Sequence, residues 1–520
     1  MRSIDYFDRG AEIDPDREAI VEGDKRITFA ALRNMTFQLA GALRARGLER
    51  QEPVAIYAPN HWGVLVCLLG LWRAGEKWIP VNARNALDAN IQYMNYVRTA
   101  FLFYHSQYAD EVKRLVAAVP SIRGVVCIDR EDDGHPSLEQ FLESGDPYVD
   151  TCDAFGNLEE IVGIFPTGGT TGPSKGVNVT NLGWGTMLEI AGNAWRRDIE
   201  KPVCLVTAPL THAAGPVSTV ALSLGATNVV MPGFNALEVL QNIERYKVTH
   251  LYLPPTALYA LLDHPDLGKY DYSSLKIFLL VGSPVSPDKL KMGVEAFGPC
   301  MCQCYGQVES PMITTWLPPE VVAAAAAGDH PERLKSCGKP TYPLRVGIMD
   351  DEGNLLPSGE RGEIVVRGAL VSHSYFEKPE ATVEVRTFGW HHTGDVAYRD
   401  ADGYIYIVDR KKDMIVTGGF NVFSAEVEAT VMELPQVIEC AVIGVPHEKW
   451  GEAIKAIVVR AQGASITEDE IIAYCKDRLG GVKAPKSLEF WDEIPKTANN
   501  KMDKKTIRTR YWGDADRNVH

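Results

Sequence analysis

No apolar run in this sequence is long enough to span a bilayer. The most apolar stretch, 63–72, is about half the required length and reads as a buried helix. Basic charge is not in excess either. With 53 Lys and Arg against 68 Asp and Glu the net charge is −15, which favours solubility and argues against a general nucleic-acid binder. Cysteines are few: ten are scattered along 520 residues, and only Cys300, Cys302 and Cys304 cluster. On a strand those three would share one face. No partner pair at ligand spacing accompanies them, so buried thiols in a reducing cytoplasm are expected rather than a metal site. The first residues carry acids, Asp5 and Asp8, where a secretion signal would have its apolar core, and no lipidation signal is read at the other end. Internal repeats and low-complexity tracts are also lacking.

What is present reads as α/β. Through the first 150 residues helix and strand signals alternate. Thr28 stands where an N-cap is needed, Phe29, Leu32, Leu39 and Leu43 keep one helical face, and Gly47 closes the helix. A strand at 54–57, an apolar helix at 61–74 and a strand at 78–81 follow, the βαβ grammar of an open sheet covered by helices. The pattern repeats with strand-like runs at 203–207, 228–231, 250–253, 277–281 and 301–305. After about residue 335 the strands come as hairpins, with turn signals at Asp351-Glu-Gly-Asn and Asp400-Ala-Asp-Gly. Five consecutive charges at 409–413 then read as a linker. Beyond it come a helix after Ser424, strands at 439–445 and 453–459, a helix opened by the box Thr467…Glu470, and a strand at 487–491. The expected architecture is a large N-terminal domain, 1–409, of stacked helix-covered sheets plus a β-rich subdomain. A hinge at 410–413 leads to a small mobile α+β domain at 414–520.

The strongest chemical signal is 164–177, Ile-Phe-Pro-Thr-Gly-Gly-Thr-Thr-Gly-Pro-Ser-Lys-Gly-Val. Gly168, Gly169 and Gly172 tolerate φ > 0, so successive backbone N–H groups can turn toward one point. Such a nest binds anions; Thr167, Thr170, Thr171 and Ser174 add donors, and Lys175 adds a full positive charge. The ligand that suits this set is a polyphosphate. The Walker order is not met, because Lys175 follows Ser174 and precedes Gly176. The flanks, 161–165 and 177–179, read as strand, loop, strand rather than strand, loop, helix, which disfavours a P-loop GTPase or kinase.

Further segments follow in order: Pro209-Leu-Thr-His212, Tyr305-Gly306-Gln307-Val308-Glu309, Gly362-Glu-Ile-Val-Val-Arg367-Gly, Thr393-Gly394-Asp395, Asp409-Arg410-Lys411-Lys412-Asp413 and Pro495-Lys-Thr-Ala-Asn-Asn-Lys501. Together with the loop they cover nearly the whole chain. They resemble the adenylate-forming (acyl-activating) superfamily, in its acyl-CoA synthetase and aryl acid–CoA ligase branch. The resemblance implies an ATP-dependent carboxylic acid–CoA ligase using ATP, Mg²⁺ and coenzyme A. It implies that the loop restrains pyrophosphate, that His212 borders the acyl pocket, and that Gly282 and Ser283 form another pocket wall. Tyr305 would stack on adenine, Glu309 hold Mg²⁺, and Asp395 accept from the ribose hydroxyls, with Arg410 beside the nucleotide. Lys412 would be the pivot, Gly418 and Gly419 would line the thiol channel, and Lys501 would bridge the carboxylate and the α-phosphate. Taken alone, Lys501 reads as a solvated tail lysine, Asp395 as a turn residue and His212 as a loop histidine; only their ordered company changes that.

Two positions depart from the family pattern. Val308 stands where a threonine usually touches the α-phosphate, a hydrogen bond worth roughly 1.5–3 kcal/mol. Asn500 stands where a glycine commonly precedes the lysine, and asparagine also tolerates a left-handed turn. Between Pro209 and Thr219 there is no acidic residue to hold a substrate ammonium, which argues against a free amino acid. Ala213, Ala214 and Gly215, with Gly282-Ser283-Pro284, suggest room for an aromatic ring, a polycycle or an alkyl chain. The expected partner is thus a small non-amino carboxylic acid, with neither nucleic acid nor a transmembrane segment, and a homodimer as the assembly. Two alternatives stay open: a ligase that loads a carrier protein, and a non-catalytic nucleotide-binding homologue.

Overall fold

The helix Trp62–Ala74 sets the architecture. All of its residues are buried, and a helix apolar on every side must be covered on every side. In the computed structural model, which describes residues 1–148, 150, 157–167, 174–195, 198–496 and 502–512, it lies between two sheets. The core around it draws Ile20, Cys204, Val206 and Cys302 from one sheet and Val54, Ile56, Phe103 and Val126 from the other. Among the described residues these sheets have nine and seven strands. In the first, Val203–Val206, Thr227–Val230, His250–Leu253, Ile277–Leu280 and Met301–Gln307 run parallel. In the second, so do Pro53–Tyr57, Lys77–Pro80, Phe101–Tyr104, Gly124–Cys127 and Ile161–Pro166. Helices Ala236–Tyr246 and Pro287–Phe297 cover the outer face of the first sheet, and Leu87–Tyr96 and Ala109–Ala118 that of the second.

Parallel sheets place ligands beyond the carboxyl ends of their strands, and here one buried side chain fastens the two carboxyl edges together. Asn60 follows a strand of the second sheet. Its Nδ2 donates to the carbonyls of Ala208 at 2.9 Å and Met231 at 3.0 Å, and its Oδ1 accepts from the Leu210 amide at 2.8 Å. All three partners lie just past strands of the first sheet.

A four-stranded antiparallel sheet follows, made of Arg345–Met349, Arg361–Arg367, His391–Arg399 and Ile405–Arg410. The last unit pairs Val437–His447 with Gly451–Arg460. Helices Ser424–Met432 and Glu468–Lys483 cover one face, and Lys504–Trp512 the other. Thr467 and Glu470 close the capping box read in the sequence, an arrangement that stabilises a helix by about 1 kcal/mol. No helix among the described residues is long and apolar enough to cross a membrane.

Two sequence expectations need correction. The charged run does not begin as a linker, because Asp409 and Arg410 are the end of a strand, opposite Val396 and Asp395. Only Lys411–Asp413 forms the connecting turn. Asp409 is buried because it accepts from Ser424 Oγ at 2.7 Å and the Ala425 amide at 3.2 Å, which caps the first helix of the small unit from across the turn. The three cysteines do not share one face either. Cys302 and Cys304 pack in the core between the sheets, whereas Cys300 precedes the strand and packs on the outer side with Phe297 and Met301.

Candidate active site

The glycine-rich segment 167–176 is flanked by strands on both sides, as its flanks suggested. Ile161–Pro166 and Gly176–Thr180 pair antiparallel. The loop is closed at its base, where the Thr167 amide donates to the Lys175 carbonyl at 2.9 Å and the Lys175 amide to Thr167 Oγ1 at 3.2 Å. Ser174 is half-buried beside this closure. Gly168, Gly169, Thr170, Thr171 and Gly172 lie outside the described residues, as does Lys501.

The Tyr305–Glu309 segment forms a hairpin tip. Met301–Gln307 turns back as Ser310–Leu317, with Gln307 opposite Ser310, so Val308 and Glu309 are the two-residue turn. Gly306 is needed there, since a Cβ would lie 2.7 Å from the Met312 backbone. Tyr305 Oη donates to Asp395 Oδ2 at 2.6 Å across ninety positions of sequence. Burial, and then Asp395, push the Tyr305 hydroxyl well above its ordinary pKa, so it remains a donor. Gln307 Nε2 donates to the Thr393 carbonyl at 3.2 Å, and His391 Nε2 lies 3.2 Å from Gln307 Oε1. Arg410 faces Asp395 from the neighbouring strand, Nε to Oδ1 3.7 Å.

Gln307 and Thr393 from this group, with Glu309, Tyr375, Gly394 and Lys411, line a cleft of about 360 Å³, whereas Tyr305, Asp395 and Arg410 lie outside its lining. Two contributors carry no chemical signal in the sequence. Tyr375 donates its hydroxyl to Glu309 Oε1 at 2.7 Å. Glu363 belongs to the 362–368 motif, and its carboxylate accepts from the Gly394 amide (2.8 Å) and Lys411 Nζ (3.2 Å) and faces His392 Nδ1 (3.1 Å). It therefore joins the Thr393-Gly394-Asp395 segment of the strand His391–Arg399 to the connecting turn. Nothing in its spacing announces this, because both partners come from tertiary pairing.

Other candidates stand apart from the cleft lining. His212 is exposed, its amide donating to the Pro209 carbonyl at 3.0 Å. Gly282, at φ 101°, and exposed Ser283 follow the Ile277–Leu280 strand. Gly418 and Gly419, at φ 57° and 83°, make the turn between Ile415–Thr417 and Phe420–Val422, with the Gly418 amide donating to the Trp450 carbonyl at 2.9 Å. Lys412 is half-buried, and burial followed by neighbouring Arg410 lowers its ammonium pKa. The small residues after His212 do not simply make room. A Cβ on Gly215 would sit 2.4 Å from the Leu210 carbonyl oxygen and 2.9 Å from the Trp78 ring, so its smallness is used by helix packing.

As to a metal, no group of three His, Cys, Asp or Glu side chains able to hold one occurs among the described residues. Mg²⁺ is usually held by one or two carboxylates, with phosphates and water completing its octahedron. The carboxylate of Glu309, with Oε1 bonded to Tyr375 and Oε2 left over, fits that donor set.

The chain matches the AMP-binding enzyme family over residues 7–376 and the AMP-binding enzyme C-terminal domain over residues 426–501. It belongs to this family. It is 36% identical, over 511 residues, to the medium/long-chain-fatty-acid–CoA ligase FadD8 of Mycobacterium tuberculosis, covering 96% of this chain and 88% of that protein. A feruloyl-CoA synthase from an Amycolatopsis species is 35% identical over 97% of this chain and 98% of its own length. Among solved structures, ATP-bound MatB from Rhodopseudomonas palustris superposes with a TM-score of 0.87 at 28% identity, covering 98% of this chain and 99% of the other.

Proposed function

We propose that the protein is an ATP-dependent carboxylic acid–CoA ligase whose acid is fatty, aryl or cyclic and carries no amino group. A carboxylate oxygen attacks the α-phosphorus of ATP, pyrophosphate leaves, and an acyl-adenylate forms. The thiol of coenzyme A then attacks the acyl carbon, and AMP leaves with the bonding electrons. The first step brings two anions together, so neutralising charge and aligning the attack dominate its barrier. In this reading Lys501 bridges the carboxylate and α-phosphate, while Lys175, Thr170 and the rest of the 167–176 loop hold the leaving pyrophosphate. Glu309 is the carboxylate that would hold Mg²⁺, which when bound offsets charge between the phosphates. Tyr305 presents its ring to adenine, and Asp395 accepts from the ribose hydroxyls with Arg410 beside it. His212 and the Gly282-Ser283 turn border the acyl group. Rotation about Lys412 exchanges Lys501 for the Gly418-Gly419 turn between the two half-reactions.

The observation that carries the reading is the Tyr305 to Asp395 hydrogen bond. It supports treating the adenine and ribose candidates as one adenosine site, whose sequence neighbours Gln307, Thr393 and Gly394 line the cleft together with Glu309. The fatty and feruloyl relatives support an acid with an apolar body. The cytoplasm as compartment and a homodimer as assembly complete the proposal; sedimentation of the purified chain tests the latter.

Incubation with ATP, Mg²⁺ and a panel of fatty, aryl and cyclic acids, with and without CoA, tests the function. AMP together with a CoA thioester is expected. Acid-dependent pyrophosphate exchange without thioester would favour a carrier-protein loader, and no AMP with any acid would favour a nucleotide-binding homologue. Lys501→Ala should abolish adenylation while still converting a supplied acyl-adenylate with CoA. Equal loss of both half-reactions in a folded variant would overturn its role.

A further inference from the structure

Tyr375 lies outside every motif, yet it touches two of them. Its hydroxyl donates to Glu309 Oε1 at 2.7 Å, and the Lys175 ammonium lies over its ring, 4.9 Å from the centroid. The side chain is buried. Its backbone is held just as firmly. Tyr375 pairs with Val177 on the strand that leaves the polyphosphate loop, and the Phe376 amide donates to the Gly176 carbonyl at 2.7 Å. Four residues earlier the Ser372 amide donates to the Glu309 carbonyl at 2.7 Å. The 372–376 segment thus ties the exit of the loop to the turn that bears Glu309.

We propose that Tyr375 is a positioning residue that holds Lys175 and Glu309 apart, each aimed at its own part of the magnesium–pyrophosphate group. The proposal rests on the roles given to Lys175 and Glu309 above. An ammonium and a carboxylate set against one ring attract each other, and a direct pair would occupy both before ATP arrived. One ring prevents this in two ways. Its face satisfies the cation without neutralising it. Its hydroxyl takes Oε1 and leaves Oε2, with its lone pairs, for a metal.

The test compares Tyr375→Phe, Tyr375→Leu and Glu309→Gln in the full-length chain. Three quantities are read: the Mg²⁺ concentration for half-maximal AMP formation, Mn²⁺ binding by electron paramagnetic resonance with a non-hydrolysable ATP analogue, and the thioester half-reaction from supplied acyl-adenylate. Tyr375→Phe keeps the ring and loses the hydroxyl. It should raise the half-saturating Mg²⁺ and weaken Mn²⁺ binding by about tenfold. The KM for the acid and the thioester step should stay at their wild-type values. Tyr375→Leu, which also loses the cation's seat, should in addition weaken pyrophosphate binding. The proposal is overturned if Tyr375→Phe leaves metal dependence and Mn²⁺ binding unchanged, or if it depresses every parameter alike, as a merely structural residue would. Glu309→Gln separates the two levels. If it too leaves the metal response unchanged, the role of Glu309 falls and takes the proposal with it. If it shifts the response and Tyr375→Phe does not, only the proposal falls.

Discussion

Replacing Asn60 probes the joint between the two sheets and, through it, the His212 segment. The side chain is buried and makes three hydrogen bonds, to Ala208, Met231 and Leu210, each between 2.8 and 3.0 Å. Asn60→Ala leaves two carbonyls and one N–H without that partner. At roughly 1–3 kcal/mol for each buried group left unsatisfied, and with some relaxation, the loss should be about 3–5 kcal/mol. Asn60→Asp is the sharper perturbation. It keeps the shape and the acceptor for Leu210, but sets an oxygen against two carbonyl oxygens where an NH₂ now donates. It should therefore cost about as much as alanine, despite being nearly isosteric. Because Ala208 and Leu210 lead directly into His212, both variants should raise the KM for the acid more than the KM for ATP. Urea unfolding followed by tryptophan fluorescence gives the first quantity, and AMP release against each substrate gives the second. An Asp variant within about 0.5 kcal/mol of wild type would show that Asn60 only fills space, and would refute the reasoning.

Other perturbations address the connecting turn, the α-phosphate and pH. Asp409→Ala removes the cap on Ser424–Met432 and should weaken that helix by about 1 kcal/mol, seen as about fivefold faster amide exchange. Because the contact crosses the turn, the ratio of adenylation to thioester rates should change as well, and an unchanged ratio would count against a latch there. Val308→Thr should speed adenylation about tenfold and leave the thioester step alone; no gain would mean that this turn does not meet the α-phosphate. Burial pushes the rings of His250 and His391 from near 6.5 down to about 4, with Arg386 adding to the effect on His391. The unfolded chain then binds protons that the folded one refuses. Stability from these groups is full above about pH 6.5 and falls toward pH 4, by at most roughly 3 kcal/mol for each. Unfolding free energies measured from neutral to acid pH should show this slope, and His250→Gln should flatten it; identical slopes would remove His250 from the account.

The elements were legible to within a residue or two wherever the signal is local. The run at 250–253 is the strand His250–Leu253, and the apolar stretch at 61–74 is the helix Trp62–Ala74 with His61 as its cap. Periodicity, caps and turn residues act over one or two turns of chain, so they survive in a bare sequence. The site was legible only as an ordered series of motifs. Tyr375, Glu363 and Asn60 were not seen, because their partners lie 66, 48 and 150 positions away. Gly215 was misread for the same reason: whether a small residue makes room or permits contact depends on what stands opposite, here the Trp78 ring and the Leu210 carbonyl.

By itself the sequence determined the layered α/β class, the strands that flank the glycine-rich segment 167–176 and the order of the motifs, since each is written in contiguous residues. Only the tertiary structure decided which motifs meet. It set Tyr305 against Asp395, placed one aromatic ring under Lys175 and against Glu309, and put Asp409, one residue before the end of the strand Ile405–Arg410, where it caps the next helix. These are pairings of buried polar groups. Such groups are costly unless satisfied, and the chain can satisfy them only once distant segments have packed.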